Sequence, residues 1–247
     1  MATEASNKRE TFTLPSKRPT ISIIIPTLNE AESITATLKS AQAGADVEII
    51  VVDGGSRDGT VQRARAFGVR LLSIAGGRAK QVNAGARAAR GDVLLFLHAD
   101  TCLPEGFDQH VSELLASPGT VAGAFALGID GSESALRAIE KLANFRSRFF
   151  QMPYGDQAIF LRSALFSVLG GFPEMPIMED YVFVRRIKRK GRIAIAPVAV
   201  NTSSRRWLRM GILKTTLINQ VILLAYFLGV DNDRLARWYT KSTSSID

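Results

Sequence analysis

Apolar and polar residues alternate in blocks through the first hundred residues, as is typical of strands and helices in turn. Apolar, β-branched runs predict buried strands at 21–26, 47–53, 69–75 and 93–97. Segments with helical spacing separate them, at 31–43, 60–68 and 79–89. This alternation predicts an α/β fold with a doubly wound, mostly parallel sheet and flanking helices.

The pattern is less regular in the second half of the chain. Further strands are predicted at 121–129, 157–162 and 192–200. Helices are predicted at 132–152, at 180–190 and in a short segment that ends at 170–171. The expected organisation is a flexible segment at 1–19, one domain at 20–210 and a C-terminal helical appendage at 211–247.

Residues 212–230 predict a last helix that contains the apolar stretch VILLAYFLGV. Lys214, Asn219 and Gln220 interrupt the approach to this stretch. A membrane-spanning helix needs about 20 apolar residues, so a shorter stretch favours a packed or interfacial helix. The sequence therefore predicts a helix that packs on the domain or lies on a membrane surface, where nearby basic residues would help to attach it.

Polar residues follow three of the predicted strands. PTLNE ends the first strand at 26–30, DGGS the second at 53–56, and HAD the fourth at 98–100. In open α/β sheets, ligands bind beyond the carboxyl ends of the strands. We therefore expect these three strand ends to form one site.

The formal charge of +8 is concentrated near the C-terminal third, where 185–192 carries six basic residues in eight. Such a patch suits nucleic acid, an anionic membrane or a phosphorylated ligand. Nucleic acid is the least favoured of these, because no aromatic-interleaved binding motif accompanies the charges.

The cysteine content and the first twenty residues indicate the cellular compartment in which we expect the protein. Cys102 is the only cysteine, which excludes an intramolecular disulfide and fits a reducing compartment. No secretory signal is visible in the polar first twenty residues. We expect a cytoplasmic protein, peripheral at the inner face of the membrane if the last helix is interfacial. The oligomeric state is left open.

Two of the strand ends have the residue types of a nucleotide and metal site. In the stretch 53–60, DGGSRDGT, glycines allow backbone N–H groups to approach a ligand, although an ordinary helix-capping turn has the same composition. Asp100 is a candidate ligand for Mg²⁺ or Mn²⁺, since phosphate oxygens and water complete such sites. His98 is either a second ligand, which favours Mn²⁺, or a hydrogen-bond partner of the backbone.

The remaining candidates are acidic and basic residues outside these strand ends. Glu179 and Asp180 open a predicted helix, as caps or with one of them as a general base. Arg78 and Lys80 either approach a phosphate or start a solvated helix. Arg206 is a candidate for binding a diphosphate, and the adjacent tryptophan for one wall of an acceptor pocket.

In order along the chain, these motifs resemble those of family 2 glycosyltransferases of the GT-A fold. They are PTLNE at 26–30, VVDGGSRDGT at 51–60, HAD at 98–100, GGF at 170–172, ED at 179–180 and RRW at 205–207. The HADT and PIMED segments are also similar to a bacterial branch linked to arsenosugar biosynthesis. The resemblance implies an inverting, metal-dependent enzyme that moves a sugar from a nucleotide sugar, with UDP-sugars favoured, to a hydroxyl of a small or lipid-linked acceptor.

The resemblance also implies roles for individual residues. The nucleotide-sugar site would comprise Pro26, Thr27, Glu30, Asp53, Gly54, Arg78, Lys80, Asp100, Arg206 and Trp207. Asp53 would contact the base and Glu30 the ribose. Asp100 would hold the metal. Asp180 would be the catalytic base, with Glu179 beside it.

The sequence departs from the family pattern at two positions. His98 stands where the first aspartate of a D-x-D motif is expected, and Ser203 where the glutamine of Q-x-x-R-W is expected. The second departure favours single addition over polymer synthesis. A nucleotidyltransferase and a non-enzymatic protein that binds membrane surfaces are the alternatives.

Overall fold

The structure is a computed structural model that describes the backbone of residues 19–244 and the side chains of residues 19–242. The predicted flexible segment at 1–19 lies almost entirely outside these residues. The strands are β1 Ile21–Thr27, β2 Val47–Asp53, β3 Arg70–Ser73, β4 Val93–Phe96, β5 Thr101–Cys102, β6 Thr120–Ile129, β7 Phe160–Arg162 and β8 Arg192–Thr202. The helices are α1 Ile34–Gln42, α2 Thr60–Arg65, α3 Arg78–Ala88, α4 Phe107–Ala116, α5 Ser134–Phe150, α6 Ser163–Leu169, α7 Glu179–Lys188, α8 Arg205–Met210, α9 Ile212–Phe227 and α10 Asn232–Ser244.

The strands form one sheet in the order β3-β2-β1-β4-β7-β6-β8-β5. Within the described residues, β1 pairs in parallel with β2 and with β4. The pairs β2–β3 and β6–β8 are also parallel. The pairings of β7 with β4 and β6, and of β5 with β8, are antiparallel. The predicted α/β class with a mostly parallel sheet is confirmed, and each antiparallel pair includes a strand from the less regular half.

The central strand β1 is buried on both faces. Ile21, Ile23 and Ile25 belong to a core cluster on one side of the sheet, together with residues of α1 and α4. Ile24 belongs to a cluster on the other side, with residues of α3, α6 and α7. Helix α3 lies close to β1, since a Cβ at Gly85 would come within 2.5 Å of the Ile24 side chain. Burial on both faces explains why β1 has a continuous apolar sequence.

Two predicted elements end at positions where the backbone leaves regular geometry. The predicted strand at 157–162 is only three residues long, because Ala158 has φ +46° after a short 3₁₀ turn at Gly155–Gln157. The predicted helix at 212–230 ends at Phe227, where Gly229 adopts φ +80° and the Val230 N–H donates to the Ala225 carbonyl. The second is a common way for a helix to end.

The two C-terminal helices pack on each other. Ile222 and Ala225 of α9 and Leu235 of α10 form a small cluster, against which Ile177 and Met178 also pack. The sequence analysis predicted α9 but not α10, nor the short elements β5, α4 and α8. No helix in the described part of the chain is long and apolar enough to cross a membrane.

Core packing gives a test of the fold. Phe160 is fully buried, with its ring centroid 5.5 Å from that of Phe125. We expect Phe160→Ala to lower the free energy of unfolding by about 3–5 kcal/mol, because it removes buried apolar area and leaves a cavity. Urea denaturation measures the change. Phe149→Ala is the matched control, since Phe149 is 72% exposed, and an equal loss for both variants would contradict this core assignment.

Candidate active site

The predicted site lies where β1, β2 and β4 end side by side. Thr27 at the end of β1 pairs with Asp53 at the end of β2, and Ile24 pairs with Phe96 at the end of β4. A cavity of about 320 Å³ lies beyond these ends, which we call the strand-end cavity. Its lining includes Pro26, Thr27, Glu30, Gly54, Arg78, His98 and Asp100. The expectation that the three strand ends converge is confirmed.

A side chain from α3 forms hydrogen bonds to two of these strand ends. The buried Gln81 amide donates hydrogen bonds to the carbonyls of Thr27 and Val52, at 2.9 and 2.8 Å. A Cβ at Gly54 would lie 2.9 Å from the same amide nitrogen, so glycine leaves room for this contact. Gln81 therefore forms part of the floor of the strand-end cavity, a role that the sequence analysis missed.

The Asp53 carboxylate is occupied by the turn that follows β2. It accepts the N–H groups of Gly55 and Ser56, at 2.9 and 3.0 Å. Asp58 and Thr60 form a second local network, in which Asp58 Oδ1 accepts from Thr60 N at 3.0 Å. These bonds are the ones expected if DGGSRDGT forms an ordinary turn between a strand and a helix. Asp53 and Lys80 lie outside the linings of both cavities described here.

A second cavity, of about 450 Å³, lies between α7, α8 and the two C-terminal helices, and we call it the helix-side cavity. Four of the predicted site residues line this cavity and not the strand-end cavity, namely Glu179, Asp180, Arg206 and Trp207. Its other walls include Tyr154, Asp156, Ile177, Met178, Asn219, Ile222, Leu223 and Tyr239. The predicted appendage thus contributes directly to the site.

The two cavities share three lining residues, Arg78, His98 and Asp100. Arg78 begins α3, and its Nε lies 3.6 Å from Oε1 of Glu179. A cation and two polar side chains from α3 and the end of β4 therefore stand at the junction. A molecule in one cavity would meet a molecule in the other at this point.

The Asp180 carboxylate is held in place by backbone donors. Its Oδ2 accepts the Gly155 N–H at 2.9 Å, and its Oδ1 accepts the Tyr181 N–H at 2.7 Å. A Cβ at Gly155 would lie 2.1 Å from Arg78 Nη2 and 3.0 Å from His98 Nε2, so a larger residue there would displace the Arg78 guanidinium. The turn at 155 thus fixes Asp180 beside the junction of the cavities.

Three buried polar atoms in the lining of the helix-side cavity have no hydrogen-bond partner. They are Nε2 of His98, Oδ1 of Asp156 and Nε1 of Trp207. Unpaired buried polar atoms are costly, and they are commonly completed by water or a ligand. These atoms mark the polar part of the helix-side cavity.

Burial shifts the pKa values of several side chains in the site. It holds the pKa of His98 well below its usual range, with the Arg78 charge acting in the same direction, so the imidazole is neutral. It raises the pKa of Asp100, against the opposing charge of Arg205. Burial also raises the pKa of Glu179, opposed by Arg78, and that of Asp156, opposed by Arg146.

The RRW segment is tied to the rest of the site by its two arginines. Arg205 pairs with Glu30, and its Nη1 lies 3.2 Å from the Glu32 carboxylate. Arg206 donates to Asn219 Oδ1 at 3.1 Å and lies over the Tyr239 ring, 4.9 Å from its centroid. Arg205 thus binds Glu30, which lines the strand-end cavity, while α9 and α10 position Arg206. The ion pair of Arg205 was not predicted.

Whether these residues fit a divalent cation depends on the available oxygens. No group of three or more His, Cys, Asp or Glu side chains with metal-binding geometry occurs in the part of the chain that the structure describes. A single carboxylate suffices for Mg²⁺ when phosphate oxygens and water complete the shell, and Asp100 lies on both cavities. His98 Nε2 instead faces Gly155 and the Arg78 guanidinium, which disfavours it as a ligand.

The sheet, with a cavity beyond the carboxyl ends of its strands, is that of an α/β protein with a ligand site at the strand ends. A family model described as glycosyl transferase family 2 matches residues 22–169. The chain belongs to the family 2 glycosyltransferases.

Curated relatives have the same assignment. An uncharacterized glycosyltransferase of Mycobacterium tuberculosis is 30% identical over 181 residues, which cover 68% of each protein. A PGL/p-HBAD biosynthesis glycosyltransferase of Mycobacterium bovis is 34% identical over 174 residues, which cover 62% of this chain and 63% of the relative. Neither name concerns arsenosugars, and that resemblance stays a prediction.

Solved structures share the fold. S. aureus TarS 1-349 in complex with UDP aligns with a TM-score of 0.62 at 19% identity, over 74% of this chain and 60% of that chain. This protein thus spans about three fifths of that TarS chain. The mannosyltransferase PcManGT of Pyrobaculum calidifontis, in complex with GDP-Man and Mn²⁺, aligns with a TM-score of 0.62 at 21% identity, over 92% of this chain and 75% of that chain.

The ion pair of Arg205 with Glu30 gives a test of the site geometry. Burial raises the pKa of the Glu30 carboxyl, and the hydrogen bond and charge of Arg205 lower it. Arg205→Ala removes the lowering effect, so we expect the pKa of Glu30 to rise further. An NMR titration of the Glu30 carboxyl carbon measures this, with Arg206→Ala as the control. An unchanged pKa in Arg205→Ala would show that the pair does not form.

Proposed function

We propose that this protein transfers a sugar from a nucleoside-diphosphate sugar to a hydroxyl-bearing acceptor. The observation that carries the proposal is the junction of the two cavities at Arg78, His98 and Asp100, beside Asp180. The strand-end cavity would hold the nucleotide, and the helix-side cavity the acceptor. Solved relatives of the same fold with UDP, UDP-GlcNAc or GDP-Man bound support a nucleotide-sugar donor.

The nucleoside would lie across the ends of β1 and β2, with UDP-sugars as the favoured donors. Thr27 and Glu30 would contact it from β1 and the loop that follows. Asp53 lies outside the cavity lining but next to Gly54, which belongs to it, and would contact the base from there with the lone pairs that the turn leaves available, since a carboxylate has about four acceptor positions. Its two backbone donors would hold the carboxylate in a fixed orientation.

Negative charge would build up on the diphosphate as the bond to the sugar breaks. Arg78 at the junction and Arg206 on the acceptor side are cations positioned near that charge. Preorganised charges of this kind lower the barrier, because they need no rearrangement during the reaction. A Mg²⁺ or Mn²⁺ ion held by Asp100 would supply further stabilisation of the diphosphate.

Asp180 would be the general base. It lines the acceptor cavity, and its backbone hydrogen bonds to Gly155 and Tyr181 orient it. A base on this side would remove the proton of a hydroxyl that attacks from the face opposite the diphosphate, which inverts the anomeric carbon. Glu179, paired with Arg78, would orient that arginine. The serine at 203, in place of glutamine, supports single addition.

The lining of the helix-side cavity suggests what kind of acceptor fits. It includes the unpartnered atoms of His98, Asp156 and Trp207, which suit hydroxyl groups. It also includes the apolar side chains of Ile177, Ile222 and Leu223. A hydroxylated molecule with an apolar portion matches both kinds of lining.

The proposal is tested by the products of the reaction. UDP-, GDP- and dTDP-sugars are first screened by thermal shift with Mg²⁺ or Mn²⁺, because a ligand of the native state raises the melting temperature. The stabilising donor is then incubated with octyl glucoside or with glycerol as probe acceptors. We expect release of a nucleoside diphosphate and glycosylation of octyl glucoside. Release of pyrophosphate from a nucleoside triphosphate instead would indicate a nucleotidyltransferase.

Replacing the proposed base separates chemistry from binding. We expect Asp180→Asn to lower the rate of transfer by roughly 100- to 10,000-fold, because the acceptor proton then has no base, while donor affinity is retained. Initial rates and calorimetric titration with the donor measure the two quantities. The matched control is Glu174→Gln, at an exposed position. Transfer at the wild-type rate by Asp180→Asn would show that another group is the base.

The metal assignment has its own test. We expect Asp100→Asn to weaken Mn²⁺ binding in the presence of the nucleoside diphosphate by at least about tenfold, because a carboxylate ligand is lost. The electron paramagnetic resonance signal of free Mn²⁺ measures binding without reference to activity. His98→Ala is the informative comparison, since we expect it to leave Mn²⁺ affinity nearly unchanged. Equal losses in both variants would assign His98 as a second ligand.

A further inference from the structure

Helix α9 carries a stripe of exposed apolar side chains along one face. Leu213, Leu217, Val221 and Leu224 follow one another at intervals of four, four and three residues, which places them on one side of a helix. They are 84%, 65%, 49% and 60% exposed. The opposite side of α9 is packed, with Ile222 and Ala225 buried. The stripe is therefore a distinct face of a well-anchored helix.

Helix α5 carries a second exposed apolar patch. Leu142, Phe145 and Phe149 are 68%, 51% and 72% exposed at helical spacing. The rings of Phe145 and Phe149 lie against each other, with centroids 4.4 Å apart, and Phe150 lies beside them. Contiguous exposed apolar side chains of this size are uncommon on a protein surface unless something covers them.

The two helices adjoin at one end. Ile139 of α5 and Ile212 of α9 pack against the same small core cluster, formed by Leu127, Ile129, Leu136 and Ala143. Trp207, which lines the helix-side cavity, packs there as well. We call the exposed side chains of α5 and α9 together the outer face. It consists of Leu142, Phe145, Phe149, Leu213, Leu217, Val221 and Leu224.

Basic residues lie among the side chains of the outer face. Lys141 and Arg148 are exposed and adjacent in sequence to Leu142 and Phe149, and Lys214 is exposed between Leu213 and Leu217. The stretch 205–230 contains no acidic residue at all. Glu140, the acidic residue of α5, is engaged by the Ile129 N–H and by Arg137. The outer face thus combines apolar side chains with positive charge.

We infer that the outer face docks on an anionic lipid bilayer. Apolar side chains would enter the interface between head groups and acyl chains, while the lysines and the arginine contact anionic head groups. A second copy of this chain would bring the same positive charges face to face, which disfavours self-association through this surface. With 16 residues, α9 lies on the bilayer rather than across it.

The docking surface goes beyond the proposed reaction and explains how an acceptor would arrive. Helix α9 presents Asn219, Ile222 and Leu223 to the helix-side cavity and the apolar stripe to the outer face. A bilayer on the outer face would therefore contact the same helix that lines the acceptor site. An amphiphilic acceptor in that bilayer would reach the site past α9.

Vesicle co-sedimentation of the full chain tests the docking surface. The probes are vesicles of phosphatidylcholine with and without phosphatidylglycerol, in the absence of nucleotide and metal. We expect binding to the anionic vesicles and at least roughly tenfold weaker binding to the neutral ones, because several cations face the lipid. The doubly substituted variant Leu217→Glu/Leu224→Glu should lose binding by a similar or larger factor, since a carboxylate opposes insertion.

Matched variants control for general effects of charge and apolar exposure. Val168 of α6 is 72% exposed but lies outside the outer face, so Val168→Glu should bind vesicles like the wild type. Lys141→Gln/Arg148→Gln should weaken binding to anionic vesicles roughly tenfold. Lys39→Gln/Arg65→Gln, on α1 and α2 at the other half of the sheet, should not. Melting temperatures verify that each variant is folded.

Two results would overturn the inference. In the first, the wild type binds anionic vesicles, but Val168→Glu weakens this binding as much as Leu217→Glu/Leu224→Glu does. The other is failure to bind vesicles together with a dimer in sedimentation velocity that Leu217→Glu/Leu224→Glu dissociates, which would make the outer face an interface between two copies.

Discussion

The candidate site depends on the hydrogen-bonded register that β1 shares with β2 and β4. Because parallel strands run in the same direction, the register brings Thr27, Asp53 and the residues after Phe96 to one edge of the sheet. The amide of Gln81 reinforces this edge, since it bonds a carbonyl of β1 and one of β2. A shift of one residue in either pairing would displace one wall of the strand-end cavity and turn its side chains to the opposite face.

This part of the structure was predictable because its signals are local. A strand buried on both faces needs an apolar side chain at nearly every position, so β1, β2 and β4 are visible as runs in the sequence. Where such a run gives way to polar residues, as at His98, the strand ends. The general rule that ligands bind at these ends then located the strand-end cavity without knowledge of any distant contact.

The contacts that complete the site have no such signal. Arg205 and Glu30 are 175 residues apart, and their pairing follows from the tertiary position of α8, after β8, rather than from any local pattern. Asp156 is an acidic residue in a short turn, and its significance arises only because its Oδ1 is buried without a partner. Helix α10 was missed because its sequence is mostly polar, apart from residues such as Leu235 and Tyr239 that pack inward.

The C-terminal helices connect the chemistry of the site to the surface of the molecule. Asn219 of α9 and Tyr239 of α10 hold Arg206, the cation that the proposed mechanism uses on the acceptor side. The same α9 carries the exposed stripe that begins at Leu213. A molecule that contacts the stripe therefore contacts α9, the helix that helps to position Arg206. A bilayer on the stripe would contact the same helix that holds Arg206 through Asn219, so the docking surface and the acceptor side of the site share α9.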